Sequence, residues 1–309
     1  MTTSNPKVTV IIPTYNRGNL IQEAIKSVLS QKAPFEIVIV DDDSTDNTTD
    51  IVRSFQDSRI RYLKLKKKGG AQIARNTGVK EAKSELIAFL DSDDIMLPGS
   101  LPCRLHYFEN NPNCESSYSD YQVCFMGLYH NYTKKIKIGP INPGDVYRKS
   151  LKTLSLAPTS VFMARRETFR NIGGMDINLP ASHDNDIFLR FSKKGACHYI
   201  PLYAACLIQH TGESVCRNPV RFAQGRAMLI EKYKNDILAQ LNYRVLQRHY
   251  VFNAIDFWTA GKVSEFKDAF KKAGQLGFLS FCLVLPMVIV SRSMYFVARL
   301  LRKKLLKLS

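Results

Sequence analysis

Three aspartates stand close together directly after an apolar stretch of the sequence. Asp91, Asp93 and Asp94 follow the stretch from Leu86 to Leu90. Carboxylates this close disfavour one another's ionised form unless a cation lies beside them. In an extended loop Asp91 and Asp93 share one side, where their oxygens would suit Mg²⁺ or Mn²⁺. A capping turn that begins a helix before Pro98 explains the same spacing, so the three residues alone leave both interpretations open.

A second acidic cluster, Asp41 to Asp43, also follows an apolar stretch. The next residues, Ser44 to Asp46, can cap a helix, which leaves Asp41 and Asp42 for another purpose. Their carboxylates could accept hydrogen bonds from a nucleobase N–H or a ribose hydroxyl. Pro13 and Thr14 occupy the first turn, where a dinucleotide-binding fold would carry G-x-G-x-x-G, so that class is excluded.

The elements that must position these clusters are short β-branched stretches separated by helical spacing of apolar residues. The stretches are Val8 to Ile12, Glu36 to Val40, Ile60 to Leu65 and Leu86 to Leu90. This βαβαβαβ order predicts a mostly parallel sheet with helices on both faces, and ligands collect at the carboxyl ends of such strands. Beyond Pro112 the pattern loosens, with an amphipathic helix from Asp184 to Lys194, and helical spacing returns after Cys216.

The composition is that of a globular enzyme with an uneven charge. The 309 residues include 44 Lys and Arg against 27 Asp and Glu, a net charge of +17, and 45% are hydrophobic. Disorder, a fibre and a multispanning membrane protein are disfavoured. Eight Lys and Arg but no acidic residue follow Asp268. A basic tail beside an apolar segment favours an anionic membrane surface over nucleic acid, which we do not expect as a partner.

The apolar segment is 273–291, and it is interrupted by Gly274, Gly277 and Pro286. A helix needs about 20 apolar residues to cross a bilayer, so this segment could dip into a membrane or span it. Residues 292–309 place apolar and basic side chains on different helical faces, as in an interfacial helix. The alternative is a core-packed helix with a solvated basic tail. Seven Cys without C-x-x-C spacing, and no signal-peptide pattern, predict reduced thiols in the cytoplasm.

Four motifs in order resemble the inverting family 2 glycosyltransferases of the GT-A fold. They are Val10 to Arg17, Val40 to Asp46, Ala74 to Gly78 and Phe89 to Asp94, and the resemblance covers residues 7 to 215. It implies a nucleotide-diphosphate sugar as donor and Mn²⁺ or Mg²⁺ as cofactor. The metal would neutralise the leaving nucleoside diphosphate.

The resemblance also implies roles for individual residues. The nucleotide would be held by Pro13, Thr14, Asn16, Asp41 and Asp42, with Asp41 at the base. Arg75 would contact the diphosphate or the sugar. Asp93 would bind the metal, and Asp91 would contact the ribose or, through water, the metal.

The general base in this family usually lies in a Glu-Asp pair that opens a helix. The matching stretch here begins His183-Asp184, so Asp184 keeps the position of the base and His183 replaces the Glu. A carboxylate at a helix start is also an ordinary cap, and an imidazole could itself serve as the base. His210 follows a later apolar strand and is a further candidate ligand for the metal or the diphosphate, although a lone His is more often structural.

These observations predict a GT-A domain over 1–215, with a donor half at about 1–111 and an acceptor half at about 112–215. A C-terminal helical region over 216–309 would attach the protein to the cytoplasmic face of the cell membrane. The predicted activity is metal-dependent transfer of a single sugar, from a UDP-sugar, to a lipid-linked or cell-envelope glycan. The Gln-x-x-Arg-Trp string of processive synthases is absent. The alternative is a non-catalytic protein of the same fold that binds nucleotide or polyanion at a membrane.

Overall fold

The structure of the protein, a computed structural model, describes residues 5–126, 131–195, 197–209 and 218–276. Within those residues nine strands form one sheet. The strands are β1 (Val8–Thr14), β2 (Phe35–Asp41), β3 (Ile60–Lys64), β4 (Leu86–Phe89), β5 (Asp94–Met96), β6 (Ser116–Met126), β7 (Asn131–Ile136), β8 (Met163–Arg165) and β9 (Cys197–Gln209).

Ten α-helices accompany the sheet in the described part of the chain. They are α1 (Gly18–Leu29), α2 (Thr48–Ser54), α3 (Ala71–Glu81), α4 (Ser100–Asn110), α5 (Val146–Thr153), α6 (Arg166–Asn171), α7 (His183–Lys193), α8 (Pro219–Gln240), α9 (Tyr243–Thr259) and α10 (Val263–Gln275). The four strands predicted in the donor half and the helix predicted near Asp184 are all present, with ends shifted by one or two residues.

The donor half is a parallel sheet in which β1, β2 and β4 are buried on both faces and the edge strand β3 is half-buried. β1 pairs in parallel with β2 and β4, and β2 pairs in parallel with β3. Alternate side chains of β1 face opposite layers: Val10 and Ile12 belong to a core that includes α1, whereas Ile11 belongs to the core that includes α3. Burying each such side chain contributes about 1.5–3 kcal/mol, so the apolar residues from Val10 to Ile12 stabilise both layers.

The acceptor half is mixed rather than parallel. β8 pairs antiparallel with β4 and β6, and β9 pairs in parallel with β6 but antiparallel with β5. β7 lies off the main strand order, paired antiparallel with β6. A parallel neighbour requires a long crossover, whereas short connections return the chain antiparallel. The predicted α/β class is therefore confirmed, and parallel pairing joins the strands β1 to β4 with one another and β6 with β9.

The chain divides into two compact units. The first comprises residues 1–150, 155–177 and 183–211, and the second comprises 151–154, 178–182 and 212–309. The sheet belongs to the first unit and α8 to α10 belong to the second. The predicted domain boundary at 215 falls within 210–217, outside the described residues.

In the second unit, asparagine side chains cap two long helices. Asn218 accepts a hydrogen bond from the backbone N–H of Arg221 at the start of α8, and Asn242 accepts one from Val245 at the start of α9. Gly261, with φ of 73°, follows α9 and separates it from α10. No helix of the described residues is both long enough and apolar enough to span a bilayer. Only the first four residues of the predicted segment 273–291 are described, and 292–309 lie outside.

One cysteine pair differs from the prediction. Cys124 of β6 and Cys206 of β9 form a disulfide, so the expectation that every thiol is reduced is wrong for these two. Sequence spacing provided no indication of this pair, because 82 residues separate them and only the pairing of β6 with β9 brings them together. The other described cysteines, Cys103, Cys114 and Cys197, are free.

Candidate active site at the carboxyl edge of the sheet

The loops after β1 and β2 are joined by hydrogen bonds at the carboxyl edge of the sheet. The backbone N–H of Asn16 donates to Ser44 Oγ at 2.8 Å, and Asn16 Oδ1 accepts from the backbone N–H of Thr45 at 2.8 Å. Asn16 has φ of 49°, a left-handed conformation that asparagine tolerates better than most residues. The predicted nucleotide-binding residues Pro13, Thr14 and Asn16 therefore lie at the same edge of the sheet as the acidic cluster Asp41 to Asp43.

Asp41 and Asp42 are both buried, and their carboxylates hold neighbouring loops. Asp41 accepts hydrogen bonds from the Ser44 backbone N–H at 2.7 Å and from the Tyr62 hydroxyl at 2.5 Å. Burial, together with the bond to Asp41, raises the pKa of Tyr62 to about 12. Asp42 accepts from the backbone N–H groups of Gly69 at 2.6 Å and Gly70 at 2.8 Å. The structure gives both residues a positioning role, and their predicted contacts with a nucleotide stay predictions.

Ser160 organises the loop that carries Asp91, Asp93 and Asp94. Its hydroxyl accepts from the backbone N–H of Asp91 at 3.1 Å and donates to the Asp94 carboxylate at 2.5 Å. Asp94 is buried, and burial together with the charge of Asp91 raises its pKa well above the usual range. Asp94 is thus part of the scaffold, whereas the side chains of Asp91 and Asp93 are 36% and 21% exposed.

An arginine accompanies each of the two exposed carboxylates. Arg75 of α3 forms an ion pair with Asp91, and Arg17 Nε lies 3.6 Å from Asp93 Oδ2. Within the described residues no cluster of three or more His, Cys, Asp or Glu could hold a metal ion, and the third predicted ligand, His210, lies outside them. Two carboxylates nevertheless fit Mg²⁺ or Mn²⁺, which take one or two protein carboxylates together with substrate phosphates and water.

Arg75 also contacts the predicted catalytic helix. Its Nη1 lies 3.0 Å from His183 Nε2, at the first residue of α7. A guanidinium can only donate, so Nε2 is assigned as the acceptor. Burial, and then the charge of Arg75, lower the pKa of His183 to about 3, which leaves the ring neutral with its hydrogen on Nδ1. Neither nitrogen of His183 then offers a free lone pair to a proton, in contrast to the predicted alternative of a histidine base.

Asp184 is partly exposed and lies beside this arginine–histidine pair. Its Oδ1 accepts from the backbone N–H of Asn185 at 2.8 Å, as expected for a carboxylate in the first turn of a helix. Burial raises the pKa of Asp184, and this effect outweighs the opposing hydrogen bond from Asn185 and the charge of Arg75. A carboxylate that is more basic than usual is suited to accept a proton.

The turn at Gly173 and Gly174, called the Gly-Gly turn below, precedes α7 and is fixed from two sides. Asn76 of α3 donates from Nδ2 to the Met175 carbonyl at 2.9 Å and accepts from the Met175 N–H at 2.8 Å. Arg190 of α7 donates to the carbonyls of Ile172 and Gly174, each at 2.6 Å. Gly174 has φ of 65°, and a Cβ there would lie 2.7 Å from Asn76 Oδ1, so the turn requires glycine.

Four residues that sequence reasoning did not assign support the site. They are Arg17, Tyr62, Asn76 and Ser160. Arg17 and Asn76 lie inside the motifs Val10 to Arg17 and Ala74 to Gly78, so the sequence could have indicated that they belong to the site. Nothing near Tyr62 or Ser160 in the sequence indicates their aspartate partners, which are 21 and 66 positions away.

Buried groups without partners also mark this edge of the sheet. Among the residues that the structure describes, Thr14 Oγ1, Arg75 Nε and His183 Nδ1 are buried and make no hydrogen bond. Buried polar groups are normally satisfied, and leaving one unpaired is costly. The three groups belong to residues that the sequence analysis assigned to the donor site or to catalysis. A polar ligand at this edge of the sheet would complete their hydrogen bonding, whereas the other unpartnered buried atoms of the described residues lie on residues not assigned to the site.

Comparison with known proteins agrees with the fold and the motifs. The family described as glycosyl transferase family 2 matches residues 9–173. Escherichia coli WfgD, a UDP-Glc:alpha-D-GlcNAc-diphosphoundecaprenol beta-1,3-glucosyltransferase, is 42% identical over 187 residues, which cover 60% of this chain and 68% of WfgD.

Two solved structures share the fold at lower identity. S. aureus TarS residues 1–349 in complex with UDP-GlcNAc superposes with a TM-score of 0.65 at 20% identity, covering 93% of this chain and 87% of that one. The mannosyltransferase PcManGT of Pyrobaculum calidifontis, in complex with GDP-Man and Mn²⁺, superposes with a TM-score of 0.56 at 18% identity, covering 96% and 83%. At these identities the similarity concerns the fold alone.

The extent of the matches differs between relatives. Three uncharacterized Rickettsia glycosyltransferases are 36–40% identical to this chain, but the match spans only 22–26% of their length. The family match covers more than half of this chain and contains the four motifs, from Val10 in β1 to Asp94 in β5. The predicted family is therefore confirmed: the chain belongs to glycosyl transferase family 2 and has the GT-A fold.

Proposed function

We propose that the protein is a metal-dependent inverting glycosyltransferase that transfers a single sugar from a UDP-sugar to a lipid-linked or cell-envelope glycan. The observation that carries the proposal is the linkage through Arg75, which forms an ion pair with Asp91 and a hydrogen bond with His183, the residue before Asp184. A carboxylate loop suited to a metal and a carboxylate suited to act as a base thus share one buried connection. Unpartnered groups on Arg75 and His183, which are themselves in contact, support a ligand beside this connection.

The chemistry assigns a role to each carboxylate. Asp93, with Asp91 beside it, would hold Mn²⁺ or Mg²⁺, which when bound neutralises charge on the diphosphate. Asp184 accepts the proton of the acceptor hydroxyl as that oxygen bonds to the anomeric carbon. The bond from the anomeric carbon to the diphosphate oxygen breaks in the same displacement, and the nucleoside diphosphate leaves. Attack from the side opposite the leaving group inverts the configuration.

The relatives support the choice of donor and acceptor. WfgD is named for UDP-Glc and for an acceptor on diphosphoundecaprenol, and the TarS structure contains UDP-GlcNAc. We extend these to a UDP-sugar and a lipid-linked glycan here. The basic residues after Asp268 would place the protein on the anionic cytoplasmic face of the membrane where such an acceptor is found.

The test is a panel of nucleotide-sugars supplied with Mn²⁺ or with a chelator, using membrane lipid extract as acceptor. Wild type is expected to release a nucleoside diphosphate from one donor, and the chelator should stop the reaction. Asp184→Asn should lower turnover by about 100-fold or more yet still bind that donor. Donor binding by wild type without turnover would favour the non-catalytic alternative, and absence of both binding and turnover would refute the proposal.

Membrane attachment needs a separate test. Deleting residues 277–309 removes six of the eight basic residues that follow Asp268 and leaves α10 intact. The shortened protein should move from the membrane fraction to the soluble fraction and still bind the donor nucleotide. A protein that stays with the membrane after this deletion would refute the assignment of attachment to the tail.

A further inference from the structure

The His183 imidazole is a buried hydrogen-bond donor with no acceptor among the described residues. Its side chain belongs to a residue that is only 8% exposed, at the first position of α7. The hydrogen bond from Arg75 Nη1, at 3.0 Å, occupies Nε2, so the neutral ring carries its hydrogen on Nδ1. Within the part of the chain that the structure describes, Nδ1 makes no hydrogen bond.

A second group in the same contact is unsatisfied. Arg75 uses Nη1 for His183 and Nη2 for Asp91, while its Nε is buried without a partner among the described residues. Two unpaired donors in one arginine–histidine pair would be costly if nothing ever bound them. Both are donors, which indicates a ligand that presents oxygen acceptors. A nucleoside-diphosphate sugar is rich in such oxygens, both on its phosphates and on its sugar ring.

We propose that His183 donates its Nδ1–H to an oxygen of the bound nucleotide-sugar. This inference rests on the proposed function and gives His183 a role in binding the donor rather than in removing a proton. Arg75 acts as the positioning residue, because its bond to Nε2 fixes both the tautomer and the orientation of the ring. The Glu usual in this position would present acceptors, so the histidine reverses the hydrogen-bonding character at the start of α7.

Two amide substitutions separate donation to the ligand from support of Arg75. In His183→Asn the amide nitrogen takes about the place of Nδ1, so a donor remains there while the acceptor for Arg75 is lost. In His183→Gln the amide lies near the place of Nε2, so it can accept from Arg75 but leaves no donor at Nδ1. Each variant therefore keeps one half of the histidine's bonding, and each serves as the control for the other.

The measurement is calorimetric affinity for UDP-Glc, UDP-GlcNAc and UDP in the presence of Mn²⁺ and without acceptor. For whichever sugar nucleotide wild type binds, His183→Asn should stay within about threefold of its affinity and His183→Gln should lose about tenfold or more. If His183→Gln also binds UDP more weakly than wild type does, the accepting oxygen lies on the diphosphate. If His183→Gln binds only the sugar nucleotide more weakly, the accepting oxygen lies on the sugar.

If His183→Gln bound the sugar nucleotide about as tightly as wild type and His183→Asn bound it more weakly, the inference would be overturned. His183 would then serve only to support Arg75. Equal affinities in all three proteins, or equal losses in both variants, would also overturn the inference. Melting temperatures of both variants identify any loss that arises from unfolding. If wild type binds no sugar nucleotide the proposed function itself fails, whereas binding with the wrong order of variants refutes only the role of His183.

Discussion

At the scale of single residues, the exposed carboxylates of the acidic loop are already offset by arginines. Asp91 pairs with Arg75, and Asp93 pairs with Arg17 at 3.6 Å. The negative charge of the clustered carboxylates is therefore partly compensated within the protein by these two arginines. A divalent metal bound at Asp93 would have to compete with the charge of Arg17.

Replacing Arg17 with Gln should tighten metal binding. Removing a positive charge near Asp93 takes away repulsion toward Mn²⁺, and one charge at this partly exposed site corresponds to about fivefold in affinity. The measurement is titration of Mn²⁺ by electron paramagnetic resonance without nucleotide. Arg59→Gln, which removes the half-exposed ion pair with Asp57, is the matched control and should leave affinity unchanged. Weaker Mn²⁺ binding in Arg17→Gln would contradict the argument.

The rate of transfer should depend on pH through Asp184. A base must be ionised to accept a proton, so kcat should rise with pH through the pKa of this residue. Burial raises that pKa above 3.8, the ordinary pKa of aspartate, so the midpoint of the rise in kcat should lie above pH 3.8. The pKa of His183, lowered to about 3, is too low for that residue to produce this rise.

Asp184→Asn should lower kcat by about 100-fold or more and remove the rising limb. The measurement is the pH profile of kcat in wild type, in this variant and in Asp145→Asn, a change at an exposed aspartate that serves as the control. If the limb persisted in Asp184→Asn but vanished in His183→Gln, the base would have to be reassigned to the histidine.

At the scale of elements, α3 connects the parts of the site. Gly78 packs so closely on β1 that a Cβ would lie 2.4 Å from a methyl group of Ile11. On the same helix, Arg75 contacts Asp91 and His183, and Asn76 holds the backbone of Met175. One short helix therefore fixes the distance between the acidic loop, the Gly-Gly turn and the start of α7.

Asn76→Ala should loosen this connection. Both hydrogen bonds to Met175 are lost, and the freed backbone groups are partly buried, so the free energy of unfolding should fall by about 2 kcal/mol. Urea denaturation of the variant measures the change. Asn110→Ala is the control, because among the described residues that exposed side chain bonds within its own helix, to His106. If the free energy of unfolding fell by the same small amount in both variants, the bonds from Asn76 to Met175 would not stabilise the protein.

At the scale of the whole molecule, buried neutral histidines predict acid sensitivity. In the second unit, His249 of α9 is 4% exposed and its Nε2–H donates to the Leu151 carbonyl at 2.9 Å. Burial lowers the pKa of His249 to about 4, from an ordinary histidine value of 6.5. Because the folded state binds its proton less readily, the stabilisation is complete above pH 6.5 and is lost as the pH falls toward 4.

His249→Gln should reduce this sensitivity, since an amide can donate to Leu151 at any pH. Between about pH 7 and pH 5 wild type should lose about 2 kcal/mol more than the variant in the free energy of unfolding. Denaturant titrations at both pH values measure the difference. His106→Gln, at an exposed histidine of α4, should behave as wild type. A variant as acid-sensitive as wild type would contradict the role of His249.

The sequence by itself determined the donor half of the protein. Apolar β-branched stretches mark each parallel strand, and the motifs follow those strands directly, so local patterns were enough to predict β1 to β4 and the edge where Asp41, Asp42, Asp91 and Asp93 lie. The same patterns predicted the family. The mixed pairing of β5, β6, β8 and β9 was not visible, because these pairs join segments remote in sequence and the register of β6 with β9 is irregular.

Tertiary structure alone decided the partners of the polar side chains. Arg75 and His183 are 108 positions apart and Cys124 and Cys206 are 82 apart, and neither contact leaves a trace in local spacing. The tautomer of His183 follows from such a contact, since it depends on which nitrogen Arg75 approaches. The sequence fixes which residue types lie at the site. Which of their atoms donate or accept a hydrogen bond depends on contacts between elements that are distant in sequence.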